Sequence, residues 1–407
     1  MVREMVELSS LTTGGVYFPV FALIAGLVAF VAFVPLSRFV PQPVSGSRFL
    51  AIDGLRGYLA LAVLVHHSSI WYAYARTGKW SAPPSALYAQ LGEAAVAMFF
   101  MISSFLFYRM VIDSAGVDWL RLYVGRFLRM FPLFLVSFVV LLALIFYSSG
   151  FVLVESPVAL GMKVIQWLSF TVLGAPDING VVGTRYIMAG VVWSLPYEWV
   201  WYGALPLIAT LVGSRPSKRV LLISTLALLY AVLRLELLLL LPFVGGIVGF
   251  HACSSPRVSA ALRKNSATLL AIACAASSVV FFESARHPAA VILWTFVFSS
   301  IACGNDFFGV LSNKVSVAMG EVSYGIYLFH GFYLFCAFEV LGRSAYTALS
   351  PTQHWLVTFC LIPILLVTCV VAYRAVELPS MLSRARVMQT LANAKEYLRG
   401  IARRVMP

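Results

Sequence analysis

Residues 129–150 read RMFPLFLVSFVVLLALIFYSSG, and beyond Arg129 the stretch carries no charged side chain. About 20 apolar residues in a helix cross a hydrocarbon layer about 30 Å thick. Lipid offers no partner for open backbone groups, so a stretch of this kind enters it as a helix. Similar runs recur at 15–37, 51–72, 88–108, 187–213, 219–233, 236–253, 267–282, 289–304, 319–342 and 355–374. A barrel would show alternating segments of about 10 residues, and none occur. The chain therefore reads as all-α, a polytopic integral membrane helix bundle of about 11 transmembrane helices. Composition agrees, with 61% of the 407 residues apolar and 11% charged, where a soluble domain carries about a quarter charged. The shortest spans, 219–233 and 236–253, meet at the turn Arg234-Leu235-Glu236. Residues 151–175 are also apolar but carry Pro157 and Gly161, and read as an interfacial or re-entrant helix.

The net charge of +13 could suggest nucleic acid, but its distribution argues for a membrane instead. Alternating the sides of the spans places 20 of the 29 Lys and Arg on one side and 8 on the other, with Arg56 inside a span. The larger group runs from Arg38 and Arg48, through Arg121, Arg126 and Arg129, to Arg215 and the C-terminal Arg384–Arg404 set; the smaller includes Arg3 and Arg286. The positive-inside rule then puts the C-terminus in the cytoplasm and the N-terminus outside. The opening MVREMVELSS carries two Glu and one Arg, unlike a basic signal peptide, so the first span reads as a retained helix. Six cysteines lie within spans or at their ends with no CxxC pair, which indicates neither a disulfide framework nor a zinc site. The tail from 380 onward is basic and partly amphipathic, suited to anionic lipid surfaces.

Ionisable groups at membrane depth cost kilocalories each, and here they concentrate in a few places. Asp53 and Arg56 begin the second span one turn apart, and His66 and His67 lie near its other end. Eleven residues separate Arg56 from His67, so at ~100° and ~1.5 Å per residue they share one face ~16 Å apart and are expected to line a continuous polar passage from the basic side toward the outer leaflet. His66 points about 100° away. The fifth span carries Trp193-Ser194-Leu195-Pro196-Tyr197-Glu198, with Glu198 expected at the depth of His67 and Pro196 expected to interrupt the helix. A carboxylate there needs a partner, and His67 is the expected one. In the tenth span Ser323, Tyr327 and His330 recur at helical spacing. On the basic side, Arg126 and Arg129 share a helix face, an arrangement suited to phosphate oxygens, and Glu377 stands at the mouth as an acid for one of these arginines. The chain has no GxxxxGK(S/T) loop, no HExxH and no GxSxG, so ATP, metal and serine-hydrolase chemistry lose most of their support.

Six stretches in order are similar to acyltransferase family 3, the membrane acyltransferases that modify bacterial surface glycans. Ile52-Asp53-Gly54-Leu55-Arg56-Gly57 through His67 resembles the family's Arg-x10-His pattern. Phe99 to Leu106 resembles FFxISGFL with Ser104 for Gly, and Arg126 to Pro132 resembles RRxxRIxP. Trp193 to Glu198 resembles WSLSxE with Pro196 for Ser, Ser323 to His330 resembles SYxLYLxH, and Glu377-Leu378-Pro379 resembles ExP. The resemblance implies a ten-helix core at 50–380, preceded by an extra N-terminal helix and cytoplasmic linker at 1–49 and followed by a basic cytoplasmic tail at 381–407. It also implies a bacterial cytoplasmic (inner) membrane enzyme, an O-acetyltransferase moving an acetyl group from cytoplasmic acetyl-CoA to a hydroxyl of an extracytoplasmic glycan or glycoside. The expected catalytic residues are His67, Arg56 and Glu198; Arg126, Arg129, Asp53 and Tyr324 would hold the donor; His330, Ser323 and Trp193 would line the substrate cavity. No metal and no nucleic acid are expected. No hydrolase domain of the SGNH type, which some relatives append, is present in the sequence. Whether His67 acts as a base or carries the acyl group stays open, as does the rival class, a transporter or flippase of lipid-linked sugars.

Overall fold

The structure is a computed structural model that describes residues 15–41, 49–114, 116–213 and 216–405, without the side chains of 395 and 398–405. Arg3, the linker 42–48 with Arg48, and Arg215 lie outside the described residues, and so do the expectations placed on them. Every described element is a helix. In order they are α1 (Pro19–Leu36), α2 (Leu50–Thr77), α3 (Ala86–Asp113), α4 (Trp119–Ser148) and α5 (Pro157–Leu168). Then come α6 (Leu195–Leu211), α7 (Lys218–Arg234), α8 (Leu241–Ser254), α9 (Pro256–Leu262) and α10 (Asn265–Phe281). The last are α11 (Pro288–Ala302), α12 (Lys314–Glu321), α13 (Ser323–Leu341), α14 (Pro351–Ala372) and α15 (Arg384–Val405). Short turns at Thr184–Ile187, Val191–Ser194, Leu237–Leu240, Arg343–Ala348 and Leu378–Leu382 fill the joins.

Local chemistry explains many of the helix ends. Side chains of Asp118, Ser156, Ser217 and Asn313 accept from the first free amides of α4, α5, α7 and α12. Ser350 and Gln353 cap α14 reciprocally, and Gly78 in the left-handed region closes α2. Between α4 and α6, the Lys163 ammonium bonds Glu155 at 2.6 Å and holds that carboxyl below its usual range. The apolar stretch read as interfacial contains α5, whose Val158, Met162 and Ile165 are exposed.

Six described helices are long and apolar enough to cross a membrane, or up to seven if the bent pair α9 and α10 is one span. The chain is a multi-pass membrane protein. Each of the eleven expected stretches falls on helix, but two are broken. The 319–342 stretch parts at Val322 between α12 and α13. The 187–213 stretch resolves into a short turn, left-handed Ala189 and Gly190, a 3-10 turn and then α6. Pro196 does not interrupt that helix as expected; it sits in the first turn of α6, where a missing N–H leaves nothing unsatisfied.

The buried charge explains the packing. Most of α2 is buried, including Asp53, His66 and His67, and it lies against α3, α12 and α13. By contrast α1 buries 17% of its apolar window, so most of its surface faces outward. Close crossings let the bundle tighten around α2. A Cβ on Gly320 of α12 would run into the carbonyl oxygen of Asp53, and one on Gly246 of α8 would meet Ser104 and the Met101 carbonyl. Missing side chains at such crossings are the usual device of membrane helices. Ser104, fully buried with its hydroxyl on Met101 O at 3.1 Å, fits because Gly246 faces it. The expectation of no disulfide is corrected. Cys253 and Cys303 are bonded across a sequence separation of 50, because α8 and α11 pack side by side, a contact spacing alone does not reveal.

Gly320→Ala and Gly246→Ala are expected to destabilise the bundle by about 1–3 kcal/mol each through overpacking. Gly26→Ala, which opens onto free space, is the control. Thermal melts of the detergent-solubilised variants check this.

Candidate active site

Five helices converge on a cavity of about 420 Å³, with α3 contributing Phe99, Ser103 and Phe107. From α2 come Asp53 and Arg56, from α4 Arg126 and Arg129, from α6 Glu198 and Tyr202, and from α13 Ser323, Tyr324 and Tyr327. Arg126 and Arg129, three residues apart on α4, line the same wall, so one helix face supplies two guanidinium groups. The Arg126 guanidinium lies 4.7 Å over the Phe107 ring and has Tyr202 and Glu198 as electrostatic neighbours. Arg129 meets Met381 Sδ at 2.9 Å, and its Nη2 is buried with no hydrogen-bond partner among the described residues. Around Arg56 the electrostatic neighbours are Arg129, Glu321, Asp53 and Arg126. Tyr324 donates to Met130 O at 3.1 Å, fixing α13 against α4.

The charges that line the void are three arginines against two carboxylates, Asp53 and Glu198. Two further acids stand nearby without lining it: Glu321 is 4% and Glu377 1% exposed. Glu377 closes a π-turn, Tyr373–Glu377, and has Arg129 and Arg56 as electrostatic neighbours. At an effective dielectric of about 20, unit charges about 4–8 Å apart interact by roughly 2–4 kcal/mol. The buried acids therefore temper the mutual repulsion of the guanidiniums while leaving a net positive surface toward the cavity. Guanidinium forks on such a surface suit phosphate oxygens.

One turn beyond Tyr327 on α13 lies the second feature. His330 Nε2 stands 3.0 Å from His67 Nδ1, and His330 Nδ1 stands 3.0 Å from Ile326 O. A carbonyl only accepts, so His330 Nδ1 carries the hydrogen and, in the neutral ring, Nε2 is the acceptor. Neutral His67 then donates from Nδ1, which leaves its Nε2 with a free lone pair. This tautomer assignment follows from the partners and makes His67 Nε2 a base or nucleophile. His66 turns away, bonds the Tyr88 carbonyl at 2.7 Å and packs on Gly92, a structural arrangement.

The structure brings together Arg56, Arg126, Arg129, Asp53, Tyr324, Ser323 and Glu198, and separately His67 with His330. Three expectations need correction. Glu198 does not pair with His67: its two oxygens accept from Ser103 at 3.1 Å and Tyr202 at 2.6 Å, while His67 Nδ1 is taken by His330. The large cavity takes in neither His330 nor Trp193. Trp193 instead lines a pocket of about 20 Å³ beside the Glu93–Arg286 ion pair, which is 3.2 Å long. Nor is the face shared by Arg56 and His67 an open polar passage. Toward the histidines the cavity is lined by Val96, Phe99, Ser194 and Tyr327 and does not take in His67; Tyr327 donates to Val191 O at 3.0 Å and shares a 2.8 Å bond with Ser194. Sequence reasoning passed over Ser103 and Tyr202. Tyr202 was within reach, being one turn beyond Glu198 at i+4; Ser103 belongs to another helix and carries no local signal.

A family model described as an acyltransferase domain, that of acyltransferase family 3, matches residues 49–374. No curated protein matches the chain, and no solved structure does.

In a background with the free cysteines replaced, Ser103→Cys is expected to react with a small polar thiol reagent faster than Ser104→Cys or His330→Cys. Ser103 faces the cavity, whereas Ser104 and His330 are fully buried. Equal labelling rates at the three positions would show that the cavity does not end where described.

Proposed function

This chain belongs to acyltransferase family 3, and from that premise we propose that it moves an acetyl group from acetyl-CoA to a hydroxyl of an extracytoplasmic glycan or glycoside. The coarse class, a membrane acyltransferase, rests on the family match over 49–374. The observation that carries the finer reading is the adjacency of two unlike sites: a guanidinium-lined cavity ending one helical turn below a histidine whose Nε2 is free. A flippase reading has no comparable support.

Arg126, Arg129 and Arg56 bind the phosphates of CoA, and the pantetheine arm extends along Tyr324 toward Tyr327. The excess of Lys and Arg beside this end supports its facing the cytoplasm, the membrane being a bacterial inner membrane in this reading. Acyl transfer then needs Tyr327 to swing off Val191 O so that the thioester carbonyl meets His67. In direct transfer the acceptor oxygen attacks that carbonyl while His67 Nε2 takes its proton; the C–S bond breaks, and the departing thiolate takes the proton to give CoA–SH and the ester. In the covalent route Nε2 itself attacks and the C–S bond breaks to give an acyl-imidazolium and the CoA thiolate; the acceptor hydroxyl then displaces the imidazole, and its proton passes to the thiolate to give CoA–SH and the ester. His330 holds the ring and, in either route, its acceptor nitrogen stabilises the imidazolium that develops on His67. Glu198 sets the position of Arg126 and Tyr202 rather than that of the imidazole.

His67→Ala is expected to lower acyl transfer by about 10²-fold or more at normal membrane insertion; retained transfer would defeat the assignment. His330→Ala should lower kcat and leave the KM for acetyl-CoA unchanged. Arg126→Ala with Arg129→Ala should instead raise the KM for acetyl-CoA, and unchanged donor saturation would refute the phosphate-binding role. Labelled acetyl-CoA with the purified chain supplies all three measurements.

A further inference from the structure

Beyond the histidine pair, on the side away from the arginines, the connection between α2 and α3 folds back over His67. It leaves α2 through Gly78, in the left-handed region at φ 69°, and brings Trp80 onto the ring stack. The Trp80 ring lies 6.3 Å from His67 at 26° and 4.6 Å from Tyr186 at 14°, so imidazole, indole and phenol form a column. Tyr74 meets Trp80 edge-on at 5.3 Å and Trp71 does so at 5.5 Å. Tyr186 rides on the short turn Thr184–Ile187, and Arg185 donates to its hydroxyl at 3.1 Å.

Two observations separate this cluster from ordinary aromatic packing. Trp80, Tyr74 and Tyr186 are each only partly buried, although they stand against a histidine that is 8% exposed. Beneath them, Trp71 is 2% exposed, and its indole N–H is buried with no hydrogen-bond partner among the described residues. A donor left open in this way is rare in a finished core. Aromatic residues of a membrane-interface belt face headgroups; here Trp80 stacks on the histidine of the bundle interior, and Tyr186 and Tyr74 pack on Trp80.

We infer that Trp80, with Tyr186 and Tyr74, forms the platform on which the acceptor sugar sits: Trp80 slides out from between His67 and Tyr186, and a pyranose ring lays one C–H face on the indole face this frees, with a hydroxyl directed toward His67. The assignment deepens the acyltransferase reading and rests on it for the identity of the reaction. An aromatic face with a few polar groups at its edge is suited to an amphipathic ring of this kind. Arg185 and the Tyr74 and Tyr186 hydroxyls supply hydrogen bonds to sugar hydroxyls at the rim. Because Trp80 covers His67, the same ring excludes water from the imidazole until an acceptor arrives, which limits hydrolysis of the thioester.

The test uses the full chain in lipid nanodiscs and two readouts. In saturation-transfer NMR with the methyl glycosides of glucose, galactose, mannose and rhamnose, at least one is expected to receive saturation on the protons of one ring face. That signal should vanish in Trp80→Ala and survive in Trp80→Phe. No saturation of any glycoside by the parent chain, or equal saturation in Trp80→Ala, overturns the platform. In acetyl transfer, Trp80→Ala should raise the KM for the acceptor about ten-fold and leave the KM for acetyl-CoA unchanged. Transfer with an unchanged acceptor KM overturns the platform alone. Trp80-dependent sugar binding without any transfer by the parent chain would sink the acyltransferase assignment and leave the platform standing.

Discussion

A charged side chain in hydrocarbon must be enclosed by protein, and the architecture follows from meeting that demand for one helix. α2 carries Asp53, Arg56, His66 and His67 along a stretch that is otherwise apolar. No arrangement leaving α2 on the lipid face would hold those groups without several kilocalories of desolvation. So α3, α12 and α13 enclose it, and α1, whose composition asks for nothing, takes an outer position. The enclosure is close because Gly320 admits the Asp53 backbone and Gly246 admits Ser104. Of the polar groups that make α2 hard to bury, Asp53 and Arg56 line the cavity and His67 belongs to the histidine pair.

Regular helix is given up mainly where the site needs it. The bundle breaks at Val322 between α12 and α13, at Ala189 and Gly190 ahead of α6, and in the π-turn Tyr373–Glu377. Each break lies beside a functional feature: Ser323 and Tyr324 of the cavity, Val191 O as the acceptor for Tyr327, and Glu377 close to Arg129 and Arg56. Irregular backbone at membrane depth is tolerated where it is buried in protein or lines a cavity, and π-turns recur at functional positions. The left-handed Ala189 is a strained position for a residue with a Cβ, held a short distance from His330 by the packing of Met188 and Ala189 against Gly331.

The division of labour between the two halves of the site follows from dielectric and geometry. Guanidiniums need anions and some water, and they share a void of about 420 Å³. Imidazoles can be buried when their N–H groups are matched, and the Ile326 carbonyl does this for His330 as His330 Nε2 does for His67. Tyr327 stands between them with its hydroxyl tied to Val191 and Ser194. The guanidinium cavity and the histidine pair are thus kept apart by one aromatic side chain.

Much of this was readable in the sequence. Apolar runs of span length dictate helices in lipid whatever their neighbours, so the all-α bundle was legible; charge at membrane depth and ordered motifs singled out Arg56, Arg126, Arg129, Asp53, Tyr324, Ser323 and Glu198, but not their sharing of one cavity, since Glu198 was expected beside His67 and Ser323 beside His330. Periodicity also placed His67 and Arg56 on one stripe. What occupies the space between two positions on a stripe is contributed by other helices, and there the sequence ran out. Only tertiary packing decided that His67 meets His330 instead of Glu198, that Tyr327 and Ser194 close the passage, that Cys253 finds Cys303, and that Trp80 folds over the imidazole. Those contacts join residues 50 to 263 positions apart or cross a loop with no period of its own, and hydrogen-bond pairing depends on ångström distances that composition and spacing do not carry.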